Sequence, residues 1–268
     1  MKKGFLALLV ISVTAPISMT AGAALSNSAL ATHRGLELGA QISQYRYEEP
    51  SVAVKLWGDK VGVAGAYVFP AGNNLFHKFD FRYAYGQLKY DGSGTKNNVP
   101  DTNLEVRYLF GGDVMTGAQV SFSPYVGFGY RYLFNDLTGT TSTGALGYRR
   151  YSNYWYVPLG VTARFRTQGQ WVVAPTAEYD YFLGGEQVSK LSDAGIGYSD
   201  ATNRQDKGVG YRLALMFEQR QFAFGPWMHY WKIQDSDIVV IRTSPSVVFG
   251  QEPQNWTREI GIEFRYKF

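Results

Sequence analysis

Cysteine is absent from this 268-residue chain. That excludes disulfides, thiolate nucleophiles and cysteine-ligated metals together. Histidine is scarce: His33, His77 and His229 are the only three, so imidazole chemistry has few places to occur. Beyond the N-terminus no apolar run reaches the roughly 20 residues that a spanning helix needs, and mean hydropathy is −0.21. A dominant charge sign is also lacking. The chain has 26 basic and 22 acidic residues, and a formal charge of +4 gives no footing for nucleic acid. Abundance lies in 20 Tyr, 17 Phe, 6 Trp and 30 Gly, a mixture suited to strands with one apolar face.

Met1 to Ala23 is a separate object. Lys2 and Lys3 form a basic start, Gly4 to Ile17 is mostly apolar, and Ala21-Gly22-Ala23 supplies small residues for cleavage. The apolar part is too short to anchor, so residues 1–23 read as a secretory signal peptide. The mature domain is then 24–268, opening with a small-residue lead-in to Thr32. Without Lys2 and Lys3, 24 basic residues against 22 acidic ones leave +2.

The last thirteen residues show the governing pattern. Ile260, Ile262, Phe264, Tyr266 and Phe268 share one parity; Glu259, Gly261, Glu263, Arg265 and Lys267 share the other. A strand sends alternate side chains to opposite faces, so one face is apolar and the other charged. The same alternation recurs at about 34–47, 61–69, 76–90, 102–110, 120–134, 151–166, 171–182, 209–218 and 222–233. In the third of these strands, Phe79, Phe81, Tyr83 and Tyr85 oppose Lys78, Asp80, Arg82 and Ala84. The ninth is ambiguous in phase, since Trp227 and Trp231 oppose Phe224, Met228 and Tyr230; His229 is assigned to the charged side. Ten strands follow, with short turns after the even ones. Long loops are expected after the odd ones, at 48–60, 91–100, 135–150, 184–207 and 234–254.

The closing strand, with Ile262, Phe264, Tyr266 and a terminal Phe268, resembles that of bacterial outer-membrane β-barrels. The resemblance extends at class level over the mature chain and names no subfamily. It implies an all-β, ten-stranded, antiparallel, up-and-down transmembrane barrel in a Gram-negative outer membrane. It also implies that those four residues are the signal read by the barrel assembly machinery. Short turns then face the periplasm and long loops the outside, with both termini on the short side.

In such a barrel the apolar face meets outer-membrane lipid and the charged face lines the lumen. The lumen candidates are Lys78, Asp80, Arg82, Glu105, Arg107, Arg131, Arg164, Glu178, Asp180, Arg212, Glu263 and Arg265, joined by Glu37, Arg166, Glu259 and Lys267. An Arg or Lys facing lipid at mid-bilayer costs about 2–4 kcal/mol, so a reversed assignment fails. The near-balance of signs points to a salt-bridged interior; the alternative is a narrow, porin-like polar pore. Tyr45, Tyr90, Tyr151, Trp155, Trp171, Tyr181, Trp231 and Trp256 lie near strand ends and are expected in interfacial girdles.

Catalytic patterns are thin. Barrel lipases and deacylases carry His-x-Ser on one strand, and neither His77 nor His229 has that serine. The omptin proteases also use ten strands, with a His-Asp pair at the outer rim. Here His229 with Asp235 or Asp237 is the nearest approximation, at the wrong spacing. Glu178 and Asp180 share a face suited to acid–base work, but inward arginines favour structural pairing. Asp235-Ser236-Asp237 lacks the glycine-containing loop of a Ca²⁺ site. No enzyme activity, metal or cofactor is expected.

The last loop is unusual. Ile238, Val239, Val240 and Ile241, then Val247, Val248 and Phe249, flank Thr243-Ser244-Pro245-Ser246 as an apolar hairpin on the outer side. The hairpin either packs against the neighbouring loop or over the lumen mouth, or Ile238, Val240, Val247 and Phe249 are contact candidates for an extracellular ligand such as a hydrophobic solute, a host protein or another barrel. The expected function is therefore a structural or surface-interaction barrel. A narrow channel for small solutes is the alternative, and an outer-membrane hydrolase stands behind both.

Overall fold

Alternation of apolar and polar residues forces each segment into an extended ladder whose two faces meet different surroundings. The computed structural model describes residues 29–195, 197–243 and 245–268. The leader assigned to 1–23 lies outside them, as does Ser244 of the last loop. In chain order the strands are β1 (Gly35–Glu49), β2 (Val54–Pro70), β3 (Leu75–Gly92), β4 (Gly94–Gly112), β5 (Val114–Met115), β6 (Val120–Thr140) and β7 (Leu146–Arg166). They continue with β8 (Val172–Ser189), β9 (Ala201–Gln205), β10 (Gly208–Gln219), β11 (Phe222–Ile233), β12 (Ile238–Arg242), β13 (Val247–Gln251) and β14 (Asn255–Lys267).

Ten of these form the wall. Neighbours pair antiparallel from β10 through β11, β14, β1, β2, β3, β4, β6 and β7 to β8, and β8 pairs back to β10. This is a closed ten-stranded antiparallel barrel, which leaves no edge. Strand β5 is a short addition beside β6, β9 extends the β8 edge, and β12–β13 is a separate hairpin.

Register carries the sorting around the wall. Ile42 lies opposite Val61 and Ile262, all three facing out; Ser43 lies opposite Lys60 and Gly261 on the inner face. Along β3, Phe79, Phe81, Tyr83 and Tyr85 are exposed outward while Asp80 and Ala84 are buried inward. In β11 the ambiguous phase resolves with Trp227, His229 and Trp231 inward.

Several expected loops are strand instead. Strands β1 and β2 meet across one turn at Pro50–Val52. Strands β3 and β4 meet at Ser93, and β6 and β7 leave only 141–145 between them. The connections at 190–207 and 234–254 are long, and they carry β9 and the β12–β13 hairpin. Spanning requires roughly 9–11 tilted residues, and β6 and β7 have 21 each, so the wall rises well past the bilayer.

Above the bilayer the two faces exchange character. Gln44, Arg46, Lys89 and Arg258 point outward, while Tyr45, Leu56, Leu88, Tyr90, Val99 and Leu137 form a buried apolar cluster inside. Water replaces lipid outside, so the hydrophobic effect drives apolar groups inward. Tyr45, Tyr90 and Trp231 are therefore interior, at 4%, 7% and 1% exposure, and not in a girdle. Trp155 and Tyr181 do face outward.

Candidate functional site: a charged lumen and an apolar outer hairpin

The centre of the lumen is built by β3, β4, β8 and β10. Their inward residues at one level are Asp80, Glu105, Arg107, Glu178, Asp180 and Arg212. Arg107 binds Asp80 through two bonds of 2.7 and 2.8 Å and Glu178 through Nη1 at 2.7 and 2.9 Å. Arg212 reaches Glu178 at 2.8 Å, Asp180 at 3.2 Å, and Glu105. Tyr125 donates to Glu178 at 2.7 Å, and Tyr156 donates to Glu105 at 2.5 Å. Strands β4 and β10 lie across the barrel from each other, so these bonds bridge the opening. Planar guanidinium forks match carboxylates two bonds at a time, which gives the cluster fixed geometry.

Other contacts also cross the lumen. Arg131 on β6 donates to Thr257 on β14 at 3.1 Å, and Asn103 donates to Glu259 at 3.3 Å. Arg82 bonds Gln41 at 2.5 Å, approaches His229 Nε2 at 2.9 Å, and lies 3.9 Å over the Trp227 ring. Glu263 pairs with Arg265, which also approaches Glu37 at 3.4 Å; Lys78 is 3.8 Å from Asp80. Arg164 bonds Ser123 at 2.8 Å. All twelve nominated lumen charges face inward; Arg166 is exposed at the short-turn rim.

Toward the outer side, Tyr154, Tyr156, Phe182, Trp231 and Ile233 pack into an aromatic layer with Leu133. Inward glycines make the room. A side chain at Gly129 would meet the Tyr156 ring, and one at Gly160 would meet the Tyr125 ring. Above this, Lys60 is paired with Asp101, bonded to Asn103 at 2.8 Å and stacked 3.7 Å over Tyr45. At the mouth, Arg150 joins Glu49 at 2.6 Å and Glu252 at 2.5 Å, and Ser189 donates to Glu252 at 2.6 Å. Glu252 follows the β12–β13 hairpin, so the latch ties the last loop to β1, β7 and β8.

The short-turn end is narrowed by the segment before β1. Thr32 donates its hydroxyl to Asp113 at 2.7 Å, Ser123 donates to Asp113 at 2.6 Å, and Ser121 donates to the Leu30 carbonyl at 2.5 Å. Leu30 is buried at 2% exposure. Burial works against charge on Asp113, but the Ser123 and Thr32 bonds, with Arg34 at 2.9 Å, outweigh it and hold the carboxyl below its ordinary range. The residues just before β1 therefore sit in the mouth, beyond their role as a lead-in. Neither Leu30 nor Thr32 carries a sequence signal for this. Lys60 does carry one, since it shares parity with Gly62 and Ala64.

The catalytic nominees are not assembled. His229 contacts Arg82 and Arg212, whereas Asp235 accepts from the Gln254 N–H at 2.6 Å and Asp237 from the Arg204 N–H at 2.6 Å. Glu178 and Asp180 are held in the arginine cluster. Among the described residues no group of three or more His, Asp or Glu forms a metal site.

The hairpin has one open face. Val240 lies opposite Phe249, and Arg242 opposite Val247. Ile238, Val240, Val247 and Phe249 all face out, Phe249 at 75% exposure, while Ile241 on the other face is buried. The neighbouring connection is pinned by Arg149 and Asp193 at 2.7 Å; the Arg149 bonds pull the Asp193 carboxyl down to about 2. The closing residues Ile262, Phe264, Tyr266 and Phe268 point outward, and the Phe268 N–H donates to the Leu36 carbonyl at 2.8 Å.

No protein-family model matches the sequence, and no curated protein matches it. Solved structures do. The chain is similar in fold to the outer membrane protease OmpT of Escherichia coli, with 8% identity over 87% of this chain and 95% of that one, at a TM-score of 0.50. The chain has the fold of an outer-membrane β-barrel. Two further similar structures are the translocator domain of the autotransporter NalP from Neisseria meningitidis and the toluene transporter TodX from Pseudomonas putida. NalP has 13% identity, covers 88% of this chain and 90% of its own, and gives a TM-score of 0.41. TodX has 9% identity, covers 91% and 92%, and also gives 0.41. At 8% identity the likeness to OmpT is one of fold.

Proposed function

We propose that this outer-membrane barrel is a non-conducting surface protein whose outer hairpin is a contact surface. The observation that carries the reading is the Arg107–Arg212 cluster, which joins four carboxylates from three strands across the middle of the lumen. The aromatic layer and the Arg150 latch lie beyond it, and the segment at Leu30 and Thr32 narrows the other end. The cavity beside Arg131 and Glu259, above the cluster, measures ≈ 20 Å³, room for about one water. A solute file cannot form there unless charged pairs separate.

No hydrolytic role is included. A catalytic histidine needs a partner that orients it, and among the described residues the hydrogen-bond contacts of His229 are the guanidinium groups of Arg82 and Arg212. Planar bilayers test the reading. Purified barrel is expected to give no stable open events over bare lipid, whereas Arg107→Ala with Arg212→Ala should admit ions if it remains folded. Stable openings of the wild-type chain would establish the narrow channel instead.

A further inference from the structure

A second chamber lies between the charge cluster and the short-turn mouth. It measures ≈ 150 Å³, and Thr32 and His33 line its edge. Its four lining carboxylates are already matched. Glu178 is held by Arg107 and Arg212, Glu263 and Glu37 by Arg265, and Glu218 by Lys267 at 2.5 Å. Three lining cations are not matched in this way. Arg82 has no carboxylate within 4.0 Å among the described residues; its partners are Gln41, His229 and the Trp227 face. Lys78 lies 3.8 Å from Asp80, whose oxygens already take two Arg107 bonds. Arg164 lies 4.0 Å from Glu218, which already takes Lys267.

Two lining donors are buried without an acceptor: Arg164 Nε, on a residue 8% exposed, and Trp227 Nε1, on a residue 5% exposed. A buried donor left unpaired is costly, and a buried charge left unpaired more so. The chamber thus gathers positive charge and unspent N–H groups around a space several times the ≈ 30 Å³ share of one water.

We infer that this chamber is a binding site for a small phosphate-type oxyanion entering from the short-turn side. Guanidinium forks and an ammonium are the groups that bind such an anion. Arg82, standing on Trp227, is the fixed wall of the site. Arg164 and Lys78 supply the remaining donors. The barrel wall excludes lipid, so the anion is a soluble one. The site does not depend on whether the lumen conducts.

The test uses the mature chain folded in detergent micelles and titrated calorimetrically with inorganic phosphate at constant ionic strength. One phosphate per chain is expected to bind saturably. Arg82→Gln and Arg164→Gln should each weaken it on the order of tenfold or more. Lys207→Gln, an equal charge change on an exposed loop, should leave it unchanged. The heat-dependent mobility of the barrel on gels verifies folding of each variant, and if one fails to fold the other decides. Absence of saturable uptake by the wild-type chain overturns the inference. So does equal affinity in the folded arginine variants and in Lys207→Gln.

Discussion

Arg212 shows what a single inward charge does in this barrel. Its side chain is 6% exposed and its guanidinium serves Glu105, Glu178 and Asp180. A buried ion pair adds little net stability over an apolar pair, but removing one partner strands the other. Arg212→Met would leave Asp180 with no cation within 4.0 Å among the described residues, while Glu178 keeps Arg107. The expected loss is about 3–5 kcal/mol, read by equilibrium denaturation in micelles. Arg46, paired with Glu48 outside the wall and 46% exposed, is the comparison, and Arg46→Met should cost about 1 kcal/mol or less. Equal losses would mean that the cluster is held by packing alone. Residue identity told which way Arg212 points, since Tyr211 and Leu213 flank it. It did not tell which carboxylates it meets, because those come from β4 and β8, 107 and 32 positions away.

Strands were legible in the sequence wherever lipid imposes the alternation, and less so above it. Strand β11 begins and ends at 222 and 233, as its pattern indicates. By contrast β4 starts at Gly94, eight residues before its apolar-out pattern does. Between Gly94 and Asp101 the outer face is polar and Val99 points in, so a rule built on lipid contact finds a loop. The same exchange hid Tyr45 and Tyr90 in the interior. The β12–β13 hairpin was visible as two apolar runs, and its open face invites a direct check. Barrel embedded in lipid nanodiscs should be retained on a hydrophobic-interaction column. Val240→Ser with Phe249→Ser should lower that retention while moving stability by no more than about 0.5 kcal/mol. Unchanged retention would mean that the face is covered.

At the scale of the whole molecule, lipid surrounds a middle band, water surrounds an upper rim, and packed side chains cross the interior in both. The sequence showed an apolar face on nine strands and an ambiguous phase on the tenth, and closure by β8–β10 pairing follows because an open edge has no hydrogen-bond partner in lipid. A native chain free of cysteine makes the band directly measurable with one spin label at a time. Labels placed by Ile42→Cys, Tyr83→Cys and Val126→Cys in bilayers should be relaxed by lipid-soluble oxygen and shielded from an aqueous nickel complex. Labels placed by Arg46→Cys, Lys89→Cys and Arg258→Cys should respond to the nickel complex. Nickel reaching the first three sites as freely as the second three would contradict the account.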